Sequence, residues 1–152
     1  MKIRSITCFA NPNSKAFAEN LETFTRLREF CEDEFVKLGG EVQTTRLATV
    51  PFGMYTEPKT TVEKITALEN TAAEHDFTYL AIGPARVSHP EEFELVPEIL
   101  KATQNVFCGG IMTHHNRGIS NAAVKACARI ITDCATITPD GFRDMLLRIV
   151  AI

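Results

Sequence analysis

The sequence lacks several features that mark specialised classes of protein. Its five cysteines include no CxxC pair, the spacing from which zinc sites and redox motifs are commonly built. No run of apolar residues approaches the roughly 20 that are needed to span a membrane as a helix. The net charge is -3, so the chain has no excess of positive charge that would attract nucleic acid. We therefore expect a cytoplasmic protein with reduced cysteines that binds neither nucleic acid nor a membrane.

The sequence does contain enough apolar material to form one hydrophobic core. Hydrophobic residues make up 45% of the 152 residues and charged residues 23%, which are ordinary proportions for a globular domain. The length suits one domain and leaves little room for two. We predict a single α/β domain over residues 1–152.

Four segments are predicted to be β-strands because they are rich in β-branched or apolar residues, and the first three are followed by Asn, Pro or Gly. They are Ile3–Phe9, Val42–Val50, Phe77–Ile82 and Val106–Met112. The third is apolar along nearly its whole length, as is typical of strands buried on both faces of a parallel sheet. Gly83-Pro84 is expected to end it, and Gly109-Gly110 indicates a bulge or a close backbone approach in the fourth.

Between these strands, apolar residues recur every three or four positions, which predicts amphipathic helices. Cap residues and glycines locate their ends. The predicted helices run from Ser14 to Gly39, from a capping box at Thr60–Glu63 onward, over most of Glu91–Gln104, over Ile119–Cys134, and from Pro139 through Phe142, Met145, Leu146 and Ile149 to the last residue.

The resulting order is β-α-β-α-β-α-β-α-α. This alternation predicts four mainly parallel strands joined by right-handed crossovers. The last helix reaches Ile152 without a residue that would end it. We therefore expect the natural chain to continue, with residues 1–152 as the amino-terminal portion of a longer protein.

Polar and cationic side chains follow the predicted strands near their carboxyl ends. Parallel α/β sheets bind ligands at this edge, where loops lead into helix N-termini whose amides attract anions. Asparagine, arginine and histidine groups at this edge would suit a carboxylate or a phosphate. The predicted ligand-binding residues for such a small anionic molecule are Asn11, Arg46, Arg86, His89 and Arg117.

The loop after the fourth strand supplies the predicted catalytic residues, His114 and His115. Imidazole titrates near neutral pH, so either histidine could transfer a proton to or from a bound anion. The alternative is that both are solvated residues of an ordinary polar loop. No metal site is predicted, because adjacent histidines in a loop rarely face one ion and no carboxylate lies at ligand spacing. No cofactor is assigned, and Cys8 and Cys108 are expected to be structural.

Short segments along nearly the whole chain resemble one family. They are Ile3–Thr7, Tyr79–Ala85, Val96–Leu100, Ala102–Phe107, Gly118–Asn121 and Pro139–Phe142. Together they resemble the amino-terminal part of the domain-of-unknown-function family 711, uncharacterised proteins of bacteria and archaea.

The resemblance implies a fold more than a reaction. Members of that family are longer and are grouped with the pyruvate formate-lyase-like α/β barrels, so these strands would form part of a ten-stranded barrel. The glycyl-radical motif of pyruvate formate-lyase is not present, and its radical chemistry is therefore not carried over. A piece of a barrel would have open sheet edges, which predicts a homo-oligomer or a partner chain.

The residues at the carboxyl edge and the family resemblance lead to three hypotheses about function. The first is an enzyme, or a portion of one, that binds a small anionic metabolite at the carboxyl ends of the strands. The second is a non-catalytic subunit or regulatory domain that completes a barrel with a partner chain. The third is a flavodoxin-like nucleotide or flavin binder with Asn11–Ser14 at the phosphate, although this segment lacks the glycines of a phosphate loop.

Overall fold

A computed structural model describes residues 1–137 and 149–151 of the chain. The β-strands are β1 (Lys2–Ile3), β2 (Ile6–Ala10), β3 (Glu41–Val42), β4 (Thr45–Thr49), β5 (Tyr79–Ala85), β6 (Val106–Gly110), β7 (Thr113–His114), β8 (Gly118–Ile119) and β9 (Ile149–Ala151). The helices are α1 (Phe17–Lys37), α2 (Thr61–Glu74), α3 (Pro90–Ala102) and α4 (Asn121–Cys134), with single 3-10 turns at Phe52–Met54 and Pro58–Thr60.

The main sheet has five strands in the order β2-β4-β5-β6-β9, and every neighbouring pair is parallel. The spatial order is thus the chain order, without the reversal that occurs in a doubly wound sheet. Right-handed crossovers between strands in sequential order place their helices on one face of the sheet. The α/β class and the parallel alternation predicted from the sequence are confirmed.

The hydrophobic core lies between the sheet and the helices. One row of paired residues crosses four strands, from Cys8 through Leu47 and Leu80 to Val106, and all four side chains are buried. Leu21 of α1, Ile65 of α2 and Ile99 of α3 are buried in the same cluster. Burial of this apolar surface makes the main favourable contribution to the free energy of packing the helices against the strands.

The strand β5 continues through Gly83-Pro84, which were predicted to end it. Ala81 pairs with Phe107 and Pro84 pairs with Gly109, so β5 contains one residue more than β6 over this stretch. Gly83 takes up the extra residue with a φ of +72°, a conformation that suits glycine. Glycine and proline therefore form a bulge here, and the strand resumes as far as Ala85.

Several predicted boundaries also differ from the structure. The segment Val42–Val50 forms two strands, β3 and β4, and β6 ends at Gly110 rather than at Met112. The capping box at Thr60 is not formed, because the Thr60 hydroxyl donates to the Glu57 carbonyl and caps no α2 amide. By contrast, Ser120 caps α4 by accepting a hydrogen bond from the Ala123 amide at 3.3 Å.

The predicted last helix is wrong where the structure describes it. Ile149–Ala151 is the strand β9, which pairs in parallel with Cys108–Gly110 of β6. The exposed edge of β6 offers backbone hydrogen bonds to an extended segment, and the β-branched Ile149 and Val150 favour that conformation. The other predicted apolar positions of this helix, Phe142, Met145 and Leu146, lie outside the described residues.

Candidate functional site

The loops that carry the predicted site residues lie at one edge of the sheet. The strands β2, β4, β5 and β6 are parallel neighbours, so their carboxyl ends share that edge. Asn11 follows β2, Arg86 follows β5, and the loop with His114 follows β6. Neighbouring strands lie about 4.8 Å apart, which separates the ends of β2 and β6 by about 14 Å.

A cleft of about 440 Å³ opens at this edge between the ends of β2 and β4. Its polar lining is uncharged and consists of Asn11, Ser14, Asn20 and Thr49, beside the apolar residues Phe9, Ala10, Ala48 and Val50. The Asn11 carboxamide oxygen accepts a hydrogen bond from the Asn13 amide at 3.0 Å. Asn11 thus fixes the loop and also borders the cleft, which leaves its amide group available to a ligand.

A smaller cavity of about 190 Å³ contains two other predicted residues, Arg86 and His89. The Arg86 guanidinium forms an ion pair with Glu92, whose side chain is almost fully buried. Arg86 also donates from its backbone amide to Glu92 Oε2 at 2.8 Å, and from Nη2 to the Gly53 carbonyl at 3.1 Å.

The ion pair gives Arg86 a structural role. The hydrogen bonds to Glu92 raise the pKa of Arg86, and its positive charge is compensated within the protein. Gly53 provides the space, since a Cβ atom there would overlap Oε1 of Glu92. The prediction that Arg86 holds an external anion therefore gains no support from its surroundings.

The histidine loop forms a small hairpin of its own. His114 on β7 pairs with Gly118 on β8, while His115 and Arg117 are exposed to solvent. None of these three residues borders either of the two cavities. His89 precedes α3, and its Nδ1 lies 2.9 Å from the Ser88 hydroxyl. His89 thus follows β5 and the other two histidines follow β6, so all three lie in loops at the common edge, and His89 borders the smaller cavity.

Arg46 is not at the carboxyl end of its strand, where the sequence placed it. It is the second residue of β4, because the main-sheet strand begins at Thr45 rather than at Val42. Its guanidinium carbon lies 5.5 Å from the centre of the Phe107 ring. Arg46 Nε is buried without a hydrogen-bond partner, and no carboxylate within residues 1–137 forms an ion pair with it.

Comparison with known proteins identifies the family of the chain. A family model described as Uncharacterised ACR (DUF711) matches residues 1–151. The chain belongs to the DUF711 family. This confirms the resemblance drawn from its short segments. A search of curated proteins finds no match.

The cysteines of this DUF711 member are all free thiols, and four of the five are buried. Burial raises the pKa of Cys108 to about 12, and it also raises the pKa of Cys8 although Arg28 opposes the change. A thiol of raised pKa is a poor nucleophile near neutral pH. These surroundings agree with a structural role for Cys8 and Cys108.

Two kinds of feature are absent from the part of this DUF711 chain that the structure describes. No three His, Cys, Asp or Glu side chains there are arranged to hold a metal ion. In the same residues, none of the helices has the length and hydrophobicity of a membrane span.

Sequence reasoning missed the residues that shape the site. Glu92 and Gly53, which fix Arg86, were not identified, nor were Asn20 and Thr49 of the cleft. No spacing rule could have suggested the pair of Arg86 with Glu92, because Arg86 precedes α3 and the two charges meet across a loop. No local signal could have placed Thr49 beside Asn11, because that contact depends on the pairing of β2 with β4.

Proposed function

We propose that the chain is an enzyme, or a portion of one, that binds a small anionic metabolite at the carboxyl edge of its sheet. The observation that carries this proposal is the cleft between the ends of β2 and β4, which has hydrogen-bonding groups and no acidic lining residue. Ala48 lines the cleft and stands two residues after Arg46, on the same face of the strand. Arg46 has no carboxylate partner within residues 1–137, and it starts from the same face of β4 that borders the cleft, although its guanidinium lies against Phe107 on β6.

In this proposal Asn11 orients the anion by hydrogen bonds and Arg46 supplies the positive charge. His114 or His115 transfers a proton, and His89 and Arg117 are further contacts at the edge. The loop after β6 would have to approach the cleft when a ligand binds, because His114 borders neither described cavity. Arg86 contributes indirectly by holding its loop in place.

Thermal unfolding in the presence of small carboxylates and inorganic phosphate tests the proposal. At least one anion is expected to raise the melting temperature of the protein, because a ligand that binds only the folded state stabilises it. Replacement of Asn11 by Ala, or of His114 and His115 together by Ala, should diminish that increase. A melting temperature that no anion changes would refute anion binding.

A second candidate is a subunit or domain that completes a barrel with a partner chain or a second copy. The five-stranded sheet has β2 at one edge and β9 at the other, and Phe9 on β2 is 74% exposed. Exposed strand edges and apolar side chains favour association. Light scattering after size exclusion is expected to give a mass above 16.9 kDa for an oligomer, and a stable monomer would count against self-association.

The state of the thiols and the strand order bear on two further hypotheses, the cytoplasmic location and the flavodoxin-like fold. The free cysteines favour a cytoplasmic location, where thiols stay reduced. The sequential strand order gives no support to the flavodoxin-like alternative, because that fold binds its cofactor where the strand order reverses.

A further inference from the structure

The face of the sheet opposite the core row carries a second row of paired residues, which lies near the carboxyl ends of β2 and β4 and near the amino ends of β5 and β6. It runs from Phe9 on β2 through Ala48 and Ala81 to Phe107 on β6. The two alanines form a low floor, and the aromatic side chains stand on either side of it. Phe9 is 74% exposed and Ala81 and Phe107 are partly exposed, so solvent reaches this open face at these three residues, whereas Ala48 is only 8% exposed.

Arg46 extends across this floor. It pairs with Tyr79 on β5, two positions before the alanine row, yet its guanidinium carbon lies 5.5 Å from the centre of the Phe107 ring on β6. The side chain therefore crosses β5 in the direction of the carboxyl edge. The Tyr79 ring packs edge-on against Phe107, with 4.9 Å between ring centres, and helps to hold that ring in place.

Arg46 differs from the other arginines that the structure buries wholly or partly within residues 1–137. Arg28 bonds Glu32 at 2.7 Å, and Arg86 forms its ion pair with Glu92. Arg46 has no such carboxylate in the described part of the chain, although a buried Nε without an acceptor is common to Arg28 and Arg46. A buried donor without an acceptor is costly, and a guanidinium without a carboxylate has no compensating charge, which an external carboxylate would supply.

We propose that Arg46 binds the carboxylate of a ligand whose flat apolar body lies on Ala48 and Ala81 between Phe9 and Phe107. This inference rests on the proposed function and names its ligand class as an aromatic or otherwise planar carboxylic acid. A single guanidinium matches one carboxylate in a planar, two-bonded geometry. A phosphate dianion would leave the apolar floor and the aromatic side chains unused.

Calorimetric titration and thermal unfolding of the full chain with three probes test this assignment. The probes are benzoate, acetate and inorganic phosphate. Benzoate is expected to bind about tenfold or more tightly than acetate, because only benzoate has a ring to place against Phe107. Phosphate is expected to bind more weakly than benzoate.

Substitutions on the open face distinguish the contribution of the ligand's carboxylate from the contribution of its ring. Arg46→Gln is expected to weaken benzoate binding about tenfold or more, and Arg46→Lys to recover part of the loss. Arg26→Gln on the exposed surface of α1 is the matched control and should bind benzoate like the unmodified protein. Phe107→Leu should reduce the preference for benzoate over acetate while acetate binding persists.

For each variant, the measured quantities are the dissociation constant and the difference in melting temperature between ligand-bound and ligand-free protein. Circular dichroism is the check on folding. Unchanged benzoate affinity in Arg46→Gln would overturn the inference while leaving anion binding elsewhere on the edge intact. Failure of all three probes would overturn the inference, and failure of the wider anion panel would overturn the proposed function too. A dimer that Phe9→Asp dissociates would identify the face as an interface between copies and would also overturn it.

Discussion

At the scale of single residues, the Glu92 side chain joins three separate parts of the chain. Its carboxylate accepts hydrogen bonds from the backbone and side chain of Arg86, while Arg86 donates onward to the carbonyl of Gly53. Gly53 follows β4, Arg86 follows β5, and Glu92 belongs to α3. One buried carboxylate thus fixes the geometry of the carboxyl edge between two strands.

Removal of the charge from Glu92 should destabilise the protein. The Glu92→Gln variant is expected to lose about 2 kcal/mol of unfolding free energy, because it breaks charge-assisted bonds in a buried place. Urea denaturation followed by circular dichroism measures the change. Glu91→Gln is the matched control, since Glu91 is exposed on the same helical turn and should change stability little. Equal effects of the two substitutions would contradict the role of Glu92.

At the scale of elements, β5 shows how a strand accommodates residues that usually end one. Gly83 has a φ of +72°, and a Cβ atom there would lie 2.7 Å from the backbone of Pro51. The bulge therefore depends on glycine for two reasons, its backbone conformation and its lack of a side chain. Gly39 after α1 has the same φ of +72°, but a Cβ atom there would meet no atom within 4 Å, so only the first reason applies to it.

These two glycines make a matched comparison. Gly39→Ala is expected to lower the unfolding free energy by about 1 kcal/mol, the cost of a left-handed conformation for alanine. Gly83→Ala should cost about 3 kcal/mol or more, because overlap with Pro51 adds to the same conformational cost. Denaturant unfolding of both variants measures the difference. Similar losses would indicate that the backbone beside Gly83 shifts freely to make room.

At the scale of the whole molecule, the sheet has a central part and two unequal edges. The strands β4, β5 and β6 have a partner on each side, whereas β2 has one partner in the described chain, β4. Backbone amides exchange with solvent more slowly where hydrogen bonds open only with large parts of the structure. The sheet order therefore determines which amides are best protected.

Native-state hydrogen exchange should follow this order. Amides of Leu47 and Leu80 are expected to exchange most slowly, and about half of the β2 amides, which face away from β4, should exchange fast. Mass spectrometry of peptide fragments measures both groups. Protection of β2 equal to that of β4 would contradict an open edge and would favour a second chain paired with β2.

The sequence by itself determined the alternation of strands and helices and most of the polar residues at the carboxyl edge. Apolar periodicity and the residues that break it report local structure, and they located α1 to α4 and the strands of the main sheet up to β6. They failed at Gly83 and at Ile149–Ala151, where contact with a neighbouring strand outweighs local preference.

Only the tertiary structure decided how the candidate site is assembled. Register between strands aligned Phe9 with Ala48, Ala81 and Phe107, and burial paired Arg86 with Glu92 while leaving Arg46 without a carboxylate in the described chain. These relations join residues that are far apart in sequence. No local pattern encodes them, because they arise from strand pairing and from the charge balance of a folded interior.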